Sequence, residues 1–183
     1  MECIIVREIT DVIIGVIMIA GFFSRKFHAM YQVPLSPVAG SLFVGTSIIE
    51  LIFRVHVEFL EFFAALILLF MIERFIKVNT KKPFNWYYLI IIMSFTVITV
   101  LISRNIWYFH AGVLLTLGTV PARIGRNMGP FHWPYRGMFY LSAVFGFLAV
   151  GAYLISLCIL SDFLYFGGVV LFLSMIPELA PTG

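Results

Sequence analysis

Charged side chains are scarce in this chain, since Asp, Glu, Lys and Arg make up 11% of its 183 residues. Soluble domains carry roughly 25%, and so few charges could not solvate the surface of a soluble domain of this size. Hydrophobic residues reach 62%, which excludes a disordered chain because such a chain would collapse. The long apolar runs also lack the alternating pattern of a transmembrane barrel. The sequence therefore predicts a helical membrane protein.

Cysteines and clustered cations are also few. Cys3 and Cys158 are far apart and form no CxxC motif, so neither a thiol-redox site nor a structural zinc site is indicated. The net charge of +3 is spread without a run of five like charges, which argues against a nucleic-acid partner. We expect residues 1–183 to form a single integral membrane domain with membrane lipids as neighbours.

Apolar segments separated by short polar breaks predict an all-α, polytopic transmembrane helix bundle. The predicted segments are residues 4–23, 41–77, 86–102, 106–120, 135–160 and 163–176. The second segment is long enough for two helices, but its polar centre at 54–58 contains no residue that favours a turn. We therefore prefer one long helix there and six crossings, with two helices and seven crossings as the alternative.

The distribution of Lys and Arg predicts the sidedness of the chain. In both arrangements the positive-inside rule places the loops at 74–85 and 121–136 in the cytoplasm, and the predicted location is the cell membrane. These loops form a basic cytoplasmic rim. Its members are Lys81, Lys82, Arg123, Arg126 and Arg136. The rim is explained by sidedness and contact with lipid headgroups, or by recognition of an anionic substrate or a partner subunit.

A polar stripe interrupts the second apolar segment. Glu50, Arg54 and Glu58 follow helical spacing, Glu61 comes three residues later, and His56 lies between them. A carboxylate at the bilayer centre costs at least ~2.5 kcal/mol, so these groups should not face lipid. They form either a salt-bridged stripe at the headgroup level or a functional site, such as a proton path, a quinone or headgroup site, or a polar substrate site.

Two further pairs of ionisable residues lie near the predicted helix ends. His56 and His110 are expected near the same membrane face, where two histidines on neighbouring helices could ligate a haem iron. No metal-binding spacing supports this, so hydrogen-bonded helix residues are the alternative, and no cofactor or resident metal is assigned. Arg7 and Asp11 lie one helical turn apart, which predicts a structural ion pair.

Residues 54–61 match an Arg-x-His-x-Asn-x-x-Glu pattern, except that Glu58 stands in the Asn position. This stretch resembles the second-helix signature of the MAPEG family, the membrane-associated proteins of eicosanoid and glutathione metabolism. Residues 123–140 are similar to the end of that family's third helix and the start of its fourth. The resemblance implies a homotrimer that binds glutathione between subunits. The implied ligand residues are Arg54, Glu61, Arg126, Arg136 and Tyr140.

Three functional hypotheses follow. The first is a small integral subunit of a larger respiratory or other redox membrane complex, packed against a catalytic subunit and bordering a lipid or quinone site. The second, from the resemblance, is a glutathione-dependent membrane transferase or isomerase. The third is a small transporter that uses the polar stripe from Glu50 to Glu61.

Overall fold

A computed structural model describes residues 2–23, 35–53, 55, 57–80, 83–127 and 133–175. Within those ranges the chain forms seven α-helices and no strand, which confirms the all-α prediction. The helices are α1 (Glu2–Phe23), α2 (Leu35–Phe53), α3 (Glu58–Thr80), α4 (Trp86–Ser103), α5 (Phe109–Asn127), α6 (Trp133–Leu154) and α7 (Cys158–Met175). A short 3₁₀ helix, Ile106–Tyr108, leads into α5.

Six of these helices pack as a ring. Each helix contacts the next in the order α1, α2, α3, α5, α6 and α7, and α7 closes the ring against α1. Helix α4 lies outside the ring, mainly against α5 and the 3₁₀ helix. One end of the bundle contains the first residues of α1, α3, α5 and α7 and the last residues of α2, α4 and α6. We call this the acidic end, and the opposite end the basic end.

The predicted single helix over residues 41–77 is wrong, because the chain breaks between α2 and α3. The Val57 backbone amide donates a hydrogen bond of 2.8 Å to Glu50 Oε1, and the Leu60 amide donates one of 2.8 Å to the Val57 carbonyl. A carboxylate from the end of α2 therefore caps the start of α3 and replaces a turn-forming residue. The described residues thus hold seven helices where the sequence favoured six segments.

Two further helix boundaries differ from the prediction. Helix α5 continues through Pro121 to Asn127, so the predicted loop at 121–136 is mostly helical. Helix α6 ends at Leu154, where Ser156 takes a φ of 63° and the Leu157 amide bonds to the Ala152 carbonyl at 2.9 Å. This is the hydrogen-bond pattern of a Schellman C-cap. The predicted turn at 161–162 instead lies inside α7.

Within the described ranges, three helices are long and apolar enough to cross a bilayer, over Ser36–Phe53, Trp86–Ser103 and Tyr135–Leu154. A shorter apolar helix covers Cys158–Ser174. These helices are compatible with a membrane protein. In the span of α4 only 17% of the residues are buried inside the bundle, so most of its apolar surface faces outward.

Glycines allow the closest helix contacts in the ring. A Cβ atom built on Gly146 of α6 would lie 2.6 Å from the Cα of Gly118 on α5. A Cβ on Gly15 of α1 would lie 2.6 Å from the carbonyl oxygen of Gly40 on α2. Small residues commonly let membrane helices approach this closely, and here they draw together the helices that carry the buried polar groups.

Candidate functional site

Five carboxylates surround one arginine inside the acidic end of the bundle. We call this set the acidic cluster: Glu8 and Asp11 on α1, Glu50 on α2, and Glu58 and Glu61 on α3, around Arg7 of α1. Each carboxylate residue is at most 4% exposed, and Arg7 is 7% exposed. The helices of the ring therefore bury this whole group of ionisable side chains.

Arg7 connects three helices. Its Nε donates to Glu8 Oε1 at 2.7 Å, its Nη2 pairs with Glu50 Oε2, and its Nη1 lies 3.9 Å from Glu58 Oε1. The planar guanidinium carries five donors and suits several carboxylates at once. Because Glu50 also caps α3, the arginine stabilises the break between α2 and α3 as well as the cluster.

Helix α7 reaches the cluster through Tyr165, which is 1% exposed. The Tyr165 hydroxyl donates a hydrogen bond to Asp11 Oδ1. The predicted pairing of Arg7 with Asp11 is therefore not the contact made, since Arg7 bonds to glutamates and Asp11 bonds to a tyrosine. Asp162, one turn earlier on α7, is a further buried carboxylate at 4% exposure.

Several carboxylate oxygens of the cluster have no hydrogen-bond partner among the described residues. They are Glu8 Oε2, Asp11 Oδ2 and both Oε atoms of Glu61. Ligand oxygens of these three residues lie within 4.8 Å of one another. We call these three residues the carboxylate triad.

His110 of α5 lies beside the triad. It is 0% exposed, and neither ring nitrogen has a hydrogen-bond partner among the described residues. Its Nδ1 lies 3.8 Å from Glu61 Oε2, and its ring packs edge-on against Tyr153 and Tyr165. His56, the other haem candidate, lies outside the described residues. The structure therefore places one buried imidazole against a carboxylate group.

The charges of the cluster do not balance. If Glu8, Asp11, Glu50 and Glu61 were all ionised, four negative charges would face the single positive charge of Arg7, an excess of three among these described residues. A buried ion costs several kcal/mol even after relaxation unless it is paired. The arrangement therefore favours additional positive charge in the cluster, carried as protons or as a bound cation.

A small apolar cleft with a cavity volume of about 30 Å³ adjoins the cluster on the side of the basic end. Ile14 and Met18 line it one and two turns beyond Asp11 on α1, and Leu68 lines it beyond Glu61 on α3. Tyr165 borders the cleft and also bonds to the acidic cluster. The polar interior of the acidic end thus continues into an apolar space near the middle of the ring.

The basic end holds a separate ion pair. Arg123 donates to both oxygens of Glu73 at 2.5 and 2.9 Å and lies over the Tyr88 ring at 4.5 Å. Arg123 is only 8% exposed, so it is a packed structural cation and not part of an open rim. Arg126 is exposed, and Arg136 is half-buried. Lys81 and Lys82 lie outside the described residues.

The structure separates the residues of the glutathione site that the family resemblance implies. Glu61 lies in the acidic cluster, whereas Arg126, Arg136 and Tyr140 lie at the basic end, with Arg136 Nη2 3.4 Å from the Tyr140 hydroxyl. Along α3, the distance from Glu61 at the acidic end to Glu73 at the basic end is ~18 Å, which shows how far apart the two ends lie. Arg54 lies outside the described residues.

Comparisons with protein-family models, with curated proteins and with solved structures find no match for this chain. The MAPEG resemblance therefore stays a prediction.

Sequence reasoning found part of this site. Glu50, Glu58 and Glu61 do come together, but on two helices and around Arg7, not along one stripe. The sequence did not single out Tyr165, because one tyrosine in an apolar segment is not unusual. The charged residues of the first apolar segment could have indicated the site, because ionisable residues in membrane helices turn toward the bundle interior.

Proposed function

We propose that this chain is a small multi-pass membrane protein that carries protons or cations through its interior. The observation that supports this most is the acidic cluster, in which five buried carboxylates from three helices face one arginine. Such groups are costly in a membrane and typically mark ion pathways or proton relays. The transporter hypothesis explains why the acidic cluster holds more carboxylates than Arg7 can neutralise. A salt bridge with a purely structural role would need no such excess.

In this proposal all seven helices cross the membrane, up and down in turn. The polar residues of α1, α3 and α5 face the interior of the ring, which explains why the sequences of these helices are less apolar than that of α4. By the positive-inside rule the basic end faces the cytoplasm, and the acidic cluster lies toward the opposite face of the membrane.

The apolar cleft supplies the remaining part of the path. It lies directly beyond Tyr165 in the direction of the basic end. Apolar constrictions in channels and transporters block ions until they become wet. We propose that the cleft is the closed section of the path and that the acidic cluster is the ion-binding section.

Reconstitution into liposomes tests this proposal. Purified protein should dissipate an imposed pH or cation gradient, followed with an internal indicator dye. Glu61→Gln should lower the flux at least tenfold, because it removes an unpartnered carboxylate of the cluster. Glu73→Gln is the matched control, since it makes the same change in the same helix at the basic end, and it should retain flux.

Equal loss of flux in both variants would mean that any buried carboxylate change disables the fold. Absence of flux in the wild type would contradict the transport proposal directly. Size-exclusion chromatography of each variant confirms that folded protein is compared.

The subunit hypothesis remains a second proposal, supported by a different observation. Helix α4 lies outside the ring, and Ile91, Leu101 and Ile102 on it are 60%, 69% and 80% exposed. Lipid or another membrane subunit would cover this face. Purification from native membranes in mild detergent, followed by native mass spectrometry, should reveal stoichiometric partner chains if α4 is a subunit interface. A homotrimer stabilised by glutathione would instead support the MAPEG resemblance.

A further inference from the structure

The acidic cluster contains three carboxylates and a neighbouring imidazole whose donor atoms could hold a metal ion. We propose that Glu8, Asp11 and Glu61 bind one divalent transition-metal cation, with His110 as the neighbouring imidazole donor. This inference deepens the proposed function, because it names the ion for the same site.

The oxygens of the carboxylate triad are close enough together to share one ion. The ligand oxygens of the triad lie within 4.8 Å of one another. Three oxygens spread evenly around one cation at ~2.1 Å are about 3.4–3.6 Å apart. The three carboxylates therefore need to close in by at most roughly 1.2 Å to share one ion, which is within reach of small side-chain rotations. They come from α1 and α3, which are both fixed in the ring.

Each α1 donor is already oriented by a neighbour. Arg7 Nε holds Glu8 Oε1 at 2.7 Å, which leaves Glu8 Oε2 directed elsewhere without a partner. The Tyr165 hydroxyl holds Asp11 Oδ1, which leaves Asp11 Oδ2 without one. Hydrogen bonds of this kind to the second oxygen of a carboxylate orient metal ligands in known sites.

His110 is an independent observation that points to a ligand. It is fully buried, both ring nitrogens lack hydrogen bonds among the described residues, and its Nδ1 lies 3.8 Å from Glu61 Oε2. A buried imidazole normally has a partner. Imidazole suits first-row transition metals, whereas sites for Mg²⁺ and Ca²⁺ are built from oxygen donors. Three carboxylates with one imidazole therefore favour Mn²⁺, Fe²⁺ or Zn²⁺.

The charges of the cluster also favour a bound cation. Arg7 pairs with Glu8, Glu50 and Glu58, so Asp11 and Glu61 have no direct ion pair with it. A dication in the triad would lower the excess of three negative charges to one. It would neutralise Asp11 and Glu61, which the arginine does not contact.

Manganese binding tests the inference. The protein in nanodiscs is stripped with EDTA and titrated with Mn²⁺, and free Mn²⁺ is measured by its electron paramagnetic resonance signal. We expect one Mn²⁺ per chain, displaced by Zn²⁺ but not by millimolar Mg²⁺. Glu61→Gln and Asp11→Asn should each weaken binding at least tenfold, and His110→Ala should weaken it severalfold. Glu73→Gln should bind like the wild type, because it alters the basic end only.

The opposite results would overturn the inference. These are no saturable Mn²⁺ binding by the wild type, or equal binding by Glu61→Gln, Asp11→Asn and the wild type. Two triad variants are used so that misfolding of one leaves the other to decide. The transport proposal fails separately: bound Mn²⁺ without any ion flux refutes transport, and proton flux that persists in EDTA without Mn²⁺ binding refutes the metal site.

Discussion

At the residue scale, Arg7 is the group on which the interior of the acidic end depends. It contacts one carboxylate on each of three helices. Removing one partner of a buried ion pair costs more than removing the whole set, because the remaining charges stay buried without compensation. The arrangement therefore makes a specific prediction about stability.

Arg7→Met should lower the free energy of unfolding by about 3–5 kcal/mol, measured as a lower thermal midpoint in detergent. The double variant Arg7→Met with Glu50→Gln should recover part of this loss, because it removes one of the uncompensated carboxylates. Arg126→Met is the control, since Arg126 is exposed at the basic end and its loss should change the midpoint little. Equal midpoints for Arg7→Met and Arg126→Met would mean that the cluster is solvated.

Tyr165 and Tyr153 allow a matched comparison of two hydroxyls. Tyr165 donates to Asp11, whereas Tyr153 donates to the Trp107 carbonyl at 2.8 Å. Hydrogen bonds to charged groups contribute about 1.5–3 kcal/mol and neutral ones about 0.5–1.5 kcal/mol. Tyr165→Phe should therefore lower the thermal midpoint more than Tyr153→Phe does, and it alone should weaken Mn²⁺ binding. An unchanged Mn²⁺ affinity in Tyr165→Phe would exclude a role for this tyrosine in orienting Asp11.

At the element scale, the ring depends on backbone contact between neighbouring helices. The α5–α6 contact is closest where Gly118 meets Gly146, and Gly151, farther along α6, has open space around the position of a Cβ. The two glycines of α6 therefore form a natural pair for mutagenesis within one helix.

Gly146→Ala should destabilise the protein by about 1–3 kcal/mol, because the added methyl group overlaps the backbone of α5. Gly151→Ala should be neutral or slightly stabilising, because alanine favours the helix and nothing obstructs it. Thermal unfolding of the two variants in the same detergent checks this. Similar midpoints for both would show that α5 and α6 are not in backbone contact.

The same scale shows what the sequence could and could not predict. Apolar runs and polar breaks predicted the helices around residues 4–23 and 86–102 to within two residues. The break between α2 and α3 was not predictable from turn propensity, because Glu50 makes it from seven residues away and Arg7 holds Glu50. The site was half predictable for the same reason: its carboxylates are visible in the sequence, but their partners come from distant helices.

At the scale of the whole molecule, the account requires the basic end to face the cytoplasm. In a background with Cys3 and Cys158 replaced by serine, Asn105→Cys at the acidic end should react with an impermeant maleimide in intact cells. Arg126→Cys at the basic end should react only after permeabilisation. Both positions are exposed in the bundle, so access depends on the membrane. Labelling of both from the same side would contradict the up-and-down arrangement.

The central claim is that the acidic cluster binds and moves cations. Charge movement on a solid-supported membrane tests this most directly, because a transient current reports ion binding inside the protein without requiring complete transport. The account predicts a current when the wild type meets a step in Mn²⁺ concentration, a comparable current in Glu73→Gln, and none in Glu61→Gln. Absence of current in the wild type, or equal currents in both variants, would contradict it.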